Sequence, residues 1–166
     1  MPQIEQQPFS QEIMNAVQNG VLIVSGSRSI QQTPHVAWAV DLAKERGWAV
    51  AVGDATGVDT LVMKQCELQG VPYIVLGCEA VGHCRNCSPG AISWLIPGGD
   101  VRGSCYLIRD RALAELASRA PKAGFVGIWD GKSRGTRYTM EACTSVGIGC
   151  LLLGPNGQRC VTPAQD

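Results

Sequence analysis

Five short apolar runs, each leading toward a loop and most of them toward a helix-like pattern, constrain this chain more than any other feature. They are Val21-Leu22-Ile23-Val24, Trp48 to Val52, Val71 to Leu76, Phe125 to Trp129, and Cys150-Leu151-Leu152-Leu153. Runs without polar alternation belong to strands buried on both faces. Parallel strands need a crossover connection, and the intervening helical patterns supply it. The pattern predicts an α/β chain with a Rossmann-like, doubly wound parallel sheet of about five strands in a single domain.

Helix boundaries follow from local punctuation. Ser10 is an N-cap candidate for a short helix carrying Ile13, Met14 and Val17, closed by Gly20. Thr33-Pro34 open a helix through Arg46 that Gly47 ends, and Val58 to Gln69 is stopped by Gly70. Further helices are expected from about Cys105 to Ala120 and from about 136 to 146. Residues 78–103, rich in Gly, Pro and Cys, break the rhythm and read as an insertion. The chain thus divides into an N-terminal tail and short helix (1–20), a Rossmannoid domain (21–154) and a C-terminal tail (155–166).

Hydrophobic residues make up 45% of the 166 positions and charged residues 17%, which fits a sheet covered on both faces and a subunit contact. Formal net charge is zero and no run of like charges occurs, so the basic stripe of a nonspecific nucleic-acid binder is missing. Nucleic acid is therefore not an expected partner, although a pocket for one nucleotide needs only a few placed groups. No apolar segment approaches the length of a membrane span. Residues 1–9 lack the layout of a signal peptide, and the protein is read as cytoplasmic.

Chemistry should gather where the strand-to-helix loops open on one edge of the sheet, the usual ligand edge of such folds. The first loop is Gly26-Ser27-Arg28-Ser29, where glycine permits close approach and arginine offers a bidentate anion contact. The second, Gly53-Asp54-Ala55-Thr56-Gly57-Val58-Asp59, suits a phosphate or ribose. The third, Asp130 to Thr136, leads into a helix whose free N–H groups favour an anion. Arg109 and Arg111, near another helix start, do not complement the helix dipole; one of them is expected to turn into the cleft, with surface ion pairing as the bland alternative. Asp130 and Asp54 come straight off strand ends and are the rim carboxylates to test, with capping as their ordinary role.

Gly26-Ser27-Arg28, Gly53-Asp54-Ala55-x-Gly57-Val58-Asp59, Arg109-Asp110-Arg111 and Ser133-x-Gly135-Thr136 occur in this order in the SMF/DprA–LOG (SLOG) superfamily. Over about residues 20–153 the chain resembles that superfamily, and most of all its small YspA-like branch. The resemblance implies a Rossmann-like sheet binding nucleotides or nucleotide-derived ligands, and a homodimer. Some members, the LOG enzymes, hydrolyse the N-glycosidic bond of nucleoside monophosphates, others sense nucleotide signals, and DprA binds single-stranded DNA. The LOG pattern Pro-Gly-Gly-x-Gly-Thr-x-x-Glu is matched here at Gly135-Thr136, but Ser133 replaces its second glycine and Thr139 stands where the glutamate should be. Glu141 lies two residues later, about 200° further round a helix.

The expected function is therefore binding of a nucleotide-type small molecule, as a sensor or binding module. A LOG-like phosphoribohydrolase using Arg109, Asp130 or Glu141 is the alternative. The ligand residues are expected among Gly26, Ser27, Arg28, Gly53, Asp54, Gly57, Asp59, Arg109, Arg111, Ser133, Gly135 and Thr136. No cofactor is required by this reading. Cys78, His83, Cys84 and Cys87 form a candidate structural zinc set, with reduced thiols or a redox pair as the alternative.

Overall fold

The computed structural model describes residues 9–156. Its strands are β1 (Val21–Gly26), β2 (Ala49–Gly53), β3 (Tyr73–Cys78), β4 (Ile92–Ile96), β5 (Ala123–Ile128) and β6 (Gly149–Leu153). Its helices are α1 (Gln11–Ala16), α2 (His35–Arg46), α3 (Val58–Gln69), α4 (Ser104–Arg119) and α5 (Arg134–Ser145). All strand pairs are parallel, in the order β4-β3-β2-β1-β5-β6. The doubly wound, Rossmann-like α/β domain read from the sequence is present, with six strands rather than five. The additional strand, β4, lies inside the segment read as an insertion. It was concealed because an edge strand is only partly buried: Ser93 interrupts the apolar run, and the strand is paired on one side only, to β3.

Alternation along the buried strands divides the core in two. Ile23, Ala51, Ile74, Leu76 and Phe125 face one side, where α1, α4 and α5 cover them with Ile13, Leu113, Leu116 and Met140. Val24, Val50, Val52, Val75 and Val126 face the other, under α2 and α3, against Val40, Val62 and Met63. A strand apolar at every position is what such two-sided covering requires. Gly47 and Gly70, both left-handed, end α2 and α3 as the sequence indicates.

The topology positions the site. From β1 the chain steps outward through β2, β3 and β4, then returns across α4 to place β5 on the other side of β1. The reversal falls between β1 and β5, whose loops must part there, leaving a crevice at the carboxyl ends of the strands. Two glycines hold the neighbouring loops together. A Cβ on Gly26 would drive into the Val58 side chain, and one on Gly57 (φ 77°) would sit 2.5 Å from the Ser27 carbonyl oxygen. Gly26→Ala therefore has no relaxation that keeps α3 seated on β1. Urea denaturation should show a loss of about 1–3 kcal/mol, the scale of overpacking a tight core.

Candidate functional site

The crevice is a cleft of about 680 Å³ lined from β1, the loop after β2, the segment after β3, the first half of α4 and the β5–α5 loop. Its foundation is a buried ionic cluster. Arg109 on α4 gives Nη1 to Asp54 Oδ1 at 2.6 Å, and Nε and Nη2 to Asp110 Oδ1 at 3.2 and 2.9 Å. Asp54 also accepts from the Arg85 backbone N–H at 2.8 Å and from its guanidinium at 2.9 and 3.3 Å. Asn86, held at φ 57°, donates to the Asp54 carbonyl oxygen at 3.0 Å. The Tyr106 ring lies 4.6 Å from the Arg85 guanidinium carbon and 5.5 Å from that of Arg109. Gly53 leaves the room: a Cβ there would meet Arg109 and Asp59.

The protonation states follow from this arrangement. Burial works to raise the Asp54 carboxyl, but the Arg85 hydrogen bonds and the Arg109 charge outweigh it and hold it below its ordinary value. Burial works against a charged Arg109 too, but Asp110, Asp59 and Asp54 outweigh it and keep the guanidinium charged. Asp110 is raised by burial against the pull of Arg109. Asp59 is pushed up to about 7, chiefly by burial, with Arg109 and the Ala55 N–H opposing and Asp110 and Asp54 reinforcing. Three carboxylates around two arginines carry one negative charge too many, and a protonated Asp59 removes it.

The β5–α5 loop is organised by Asp130. Its Oδ1 accepts from the Lys132 and Ser133 N–H groups at 2.8 and 2.9 Å, and its Oδ2 from the Ser29 hydroxyl at 2.7 Å. Its own N–H donates to Ser27 Oγ at 3.0 Å. The Ser29 hydrogen bond, aided by the two backbone donors, holds this carboxyl down at about 2. Both oxygens are thus engaged in holding the loop. Ser133 occupies the N-cap of α5 but makes no side-chain cap. Among the described residues no side chain or loop carbonyl accepts from the N–H groups of Arg134, Gly135 and Thr136.

The sequence-derived site residues therefore fall into distinct groups. Gly26, Arg28, Gly53, Asp59, Arg109, Asp130, Ser133, Gly135 and Thr136 line the cleft. Ser27 and Asp54 are fully buried behind it, and Gly57 is pressed against the β1–α2 loop. Arg111 is corrected: two positions from Arg109, it turns to the outer groove between α4 and α5. Glu141 is also corrected, since it pairs with Arg137 at 3.1 Å on the exposed face of α5. The proposed zinc set is not assembled. Cys78 lies under α4 and donates to the Cys105 carbonyl oxygen, Cys84 and Cys87 pack on the opposite face of the sheet, and His83 is exposed. Burial raises the Cys78 and Cys87 thiols to about 12. Among the described residues no group of His, Cys, Asp or Glu is arranged to hold a metal ion.

Arg85, Tyr106, Lys132 and Arg134 also line the cleft, though nothing singled them out in the sequence. Arg85 was hidden by its place among the cysteines. Lys132 and Arg134 lie within the third loop, on either side of Ser133, and were legible as cations but not in direction.

No protein-family model matches the sequence, and comparison with curated proteins gives no match. Among solved structures, the chain matches DNA processing protein A from Helicobacter pylori, described for its single-stranded DNA binding mode. The TM-score is 0.58 at 17% identity, covering 87% of this chain and 68% of that one. The resemblance is one of fold. It places the architecture in the Rossmann-like class to which DprA belongs, and it corrects the expectation that nucleic acid is not a partner. A protein of this architecture binds single-stranded DNA, so zero net charge is no ground for excluding it. Charge summed over a chain conceals local order: Arg28, Arg85, Lys132 and Arg134 gather around one cleft. Among the described residues no helix is long and apolar enough to cross a membrane.

Two outcomes test the cluster. Arg109→Met should cost about 3–5 kcal/mol in denaturant unfolding, because it strips the buried Asp110 of its counter-charge and leaves the buried Asp54 with Arg85 alone. Asp59→Asn should act with pH. The Asp59 proton, retained in the fold up to about 7, contributes stability that is lost as pH rises toward that value. The variant should therefore melt above the wild type near pH 8 and level with it near pH 4, as scanning calorimetry would read.

Proposed function

We propose that the protein binds a nucleotide or nucleotide-derived small molecule in the β1–β5 cleft, as a binding or sensing module of the YspA-like kind. The observation that carries this reading is the α5 N-terminus. Three consecutive N–H groups there lack acceptors among the described residues, the positive end of the helix dipole lies behind them, and Arg28, Lys132 and Arg134 line the same cleft. Such an end favours an oxyanion, and charge-assisted bonds from the rim would add to it. The cleft volume also exceeds what phosphate alone would fill, leaving room for a sugar and base near Tyr106 and Asp59.

Binding without turnover is the better supported form. Both Asp130 oxygens are engaged, Glu141 lies on the outer face of α5, and Thr139 donates to the Gly135 carbonyl oxygen at 2.8 Å where a LOG enzyme would carry its glutamate. A second reading, contact with single-stranded DNA, is favoured by the fold match and by the cations that gather at the cleft.

Titration calorimetry with the four nucleoside monophosphates, ribose 5-phosphate and a short oligothymidylate separates these readings. Mononucleotide binding weakened about tenfold or more by Arg134→Glu, the scale of a charge-assisted contact, with no free base released, is the expected result. Oligonucleotide binding with a steep salt slope and no competition by mononucleotides would favour the DNA reading. Absence of binding by every mononucleotide at low salt would refute the first.

A further inference from the structure

Asp59 stands apart from the other acids of the cleft. Asp54 is consumed by Arg85 and Arg109, Asp110 by Arg109 and the Thr139 side chain, and Asp130 by its own loop. Asp59 is only 5% exposed, yet among the described residues it receives one hydrogen bond, from the Ala55 N–H to Oδ2 at 3.1 Å. That bond explains Oδ2 as a tie between the β2–α3 loop and the first turn of α3. It leaves Oδ1 without a partner among the described residues. Nor is Oδ1 a sealed orphan: among the described residues the sealed, unsatisfied side-chain atoms are His35 Nε2 and Arg119 Nε, and Asp59 borders the cleft. A nearly buried carboxyl oxygen with no protein partner, opening onto a cavity, awaits a group from outside the chain.

We propose that Asp59 is a ligand-reading acid, its carboxyl O–H donating from Oδ1 to an uncharged acceptor on the base or ribose of the bound nucleotide. The inference rests on the nucleotide reading and extends it, by assigning the end of the ligand remote from phosphate to the wall formed by Gly53, Asp59 and Arg109. The surroundings favour the donor form. Arg109 and Asp110 from α4 and Asp54 from the loop after β2 act on Asp59, Arg85 holds Asp54 from the segment after β3, and Arg28 borders the same cleft. Burial, with the two neighbouring carboxylates, outweighs Arg109, and the carboxyl keeps its proton up to about 7. An acceptor on the ligand is then matched below that pH. Above it the acceptor faces an acceptor, and the lost bond is joined by repulsion.

The test is titration calorimetry of the intact chain with each nucleoside monophosphate and with ribose 5-phosphate, using wild type, Asp59→Asn and Asp59→Ala. Wild-type affinity should fall with a limiting slope of about tenfold per pH unit above neutrality. Asp59→Asn keeps the Ala55 bond through its amide oxygen and offers an N–H in place of the O–H. It should bind within a few-fold of the low-pH wild type and lose the pH dependence. Asp59→Ala should bind about tenfold more weakly than the low-pH wild type, the scale of one lost hydrogen bond, with melting curves confirming that both variants are folded. PH dependence with ribose 5-phosphate would place the acceptor on the sugar, and its confinement to nucleotides would place it on the base. Nucleotide binding whose pH profile survives in Asp59→Asn, or whose strength is unchanged in Asp59→Ala, overturns the role of Asp59 and leaves the nucleotide reading standing. Failure of every nucleotide and of ribose 5-phosphate to bind the wild type overturns both.

Discussion

The charged cluster around Arg109 is the interaction on which the cleft edge of the sheet depends. One guanidinium joins Asp54, at the end of β2, to Asp110 on its own helix, while Arg85 closes on the same Asp54 from the segment after β3. Three separate stretches of chain are thereby held at one point. Buried charges are costly to desolvate, and an apolar cluster of the same volume would stabilise the fold at least as well. What the ionic version adds is direction, since each donor has one acceptor and the loops can settle in one arrangement. It also leaves one carboxyl group, Asp59, in surplus.

That surplus links packing to chemistry. Gly53 and Gly77 make room for the cluster: a Cβ on the first would meet Arg109, and one on the second would meet Cys84 and come within 3.2 Å of Asp54. Gly26 and Gly57 bring the first loop hard against α3, tightening the wall that carries Asp59. On the far side, Asp130 gathers Lys132, Ser133 and Ser29, and the next three N–H groups of α5 find no acceptor among the described residues. The two sides differ in kind, one a wall of balanced buried charge and the other an open helix end beside cations. A molecule with an anionic end and an uncharged polar end fits that division.

Much of the fold was legible because burial on both faces leaves a direct imprint on composition. Runs such as Val21 to Val24 and Phe125 to Ile128 are apolar at nearly every position, and Gly47 and Gly70 mark helix ends through a conformation other residues resist. The edge strand β4 escaped because half-burial leaves a weaker imprint. That the loops converge on one edge was legible from topology alone, yet the parts within them were not. Arg109 and Arg111 have the same chemistry two positions apart, and only the packing of α4 against the sheet and α5 sends one inward and the other out. The cysteines suggested convergence by their spacing, but strand alternation carries Cys78 to one face while Cys84 and Cys87 cover the other.

By itself, the sequence determined the class of fold, the edge where its glycine-bearing loops come together and the helix start that opens there. These rest on periodicity, on strand-to-helix loops and on the free N–H groups of a helix start, all of which are local in the chain. Tertiary structure decided which acids are spent and which is free, and that Arg85, far from the motifs, completes the cluster. It also gathered scattered cations beside one cleft in a chain with no net charge. Those outcomes depend on distances between residues tens of positions apart, as between Asp54 and Arg109. They arise only when the sheet fixes where each loop emerges, because hydrogen bonding and desolvation act across space and not along the chain.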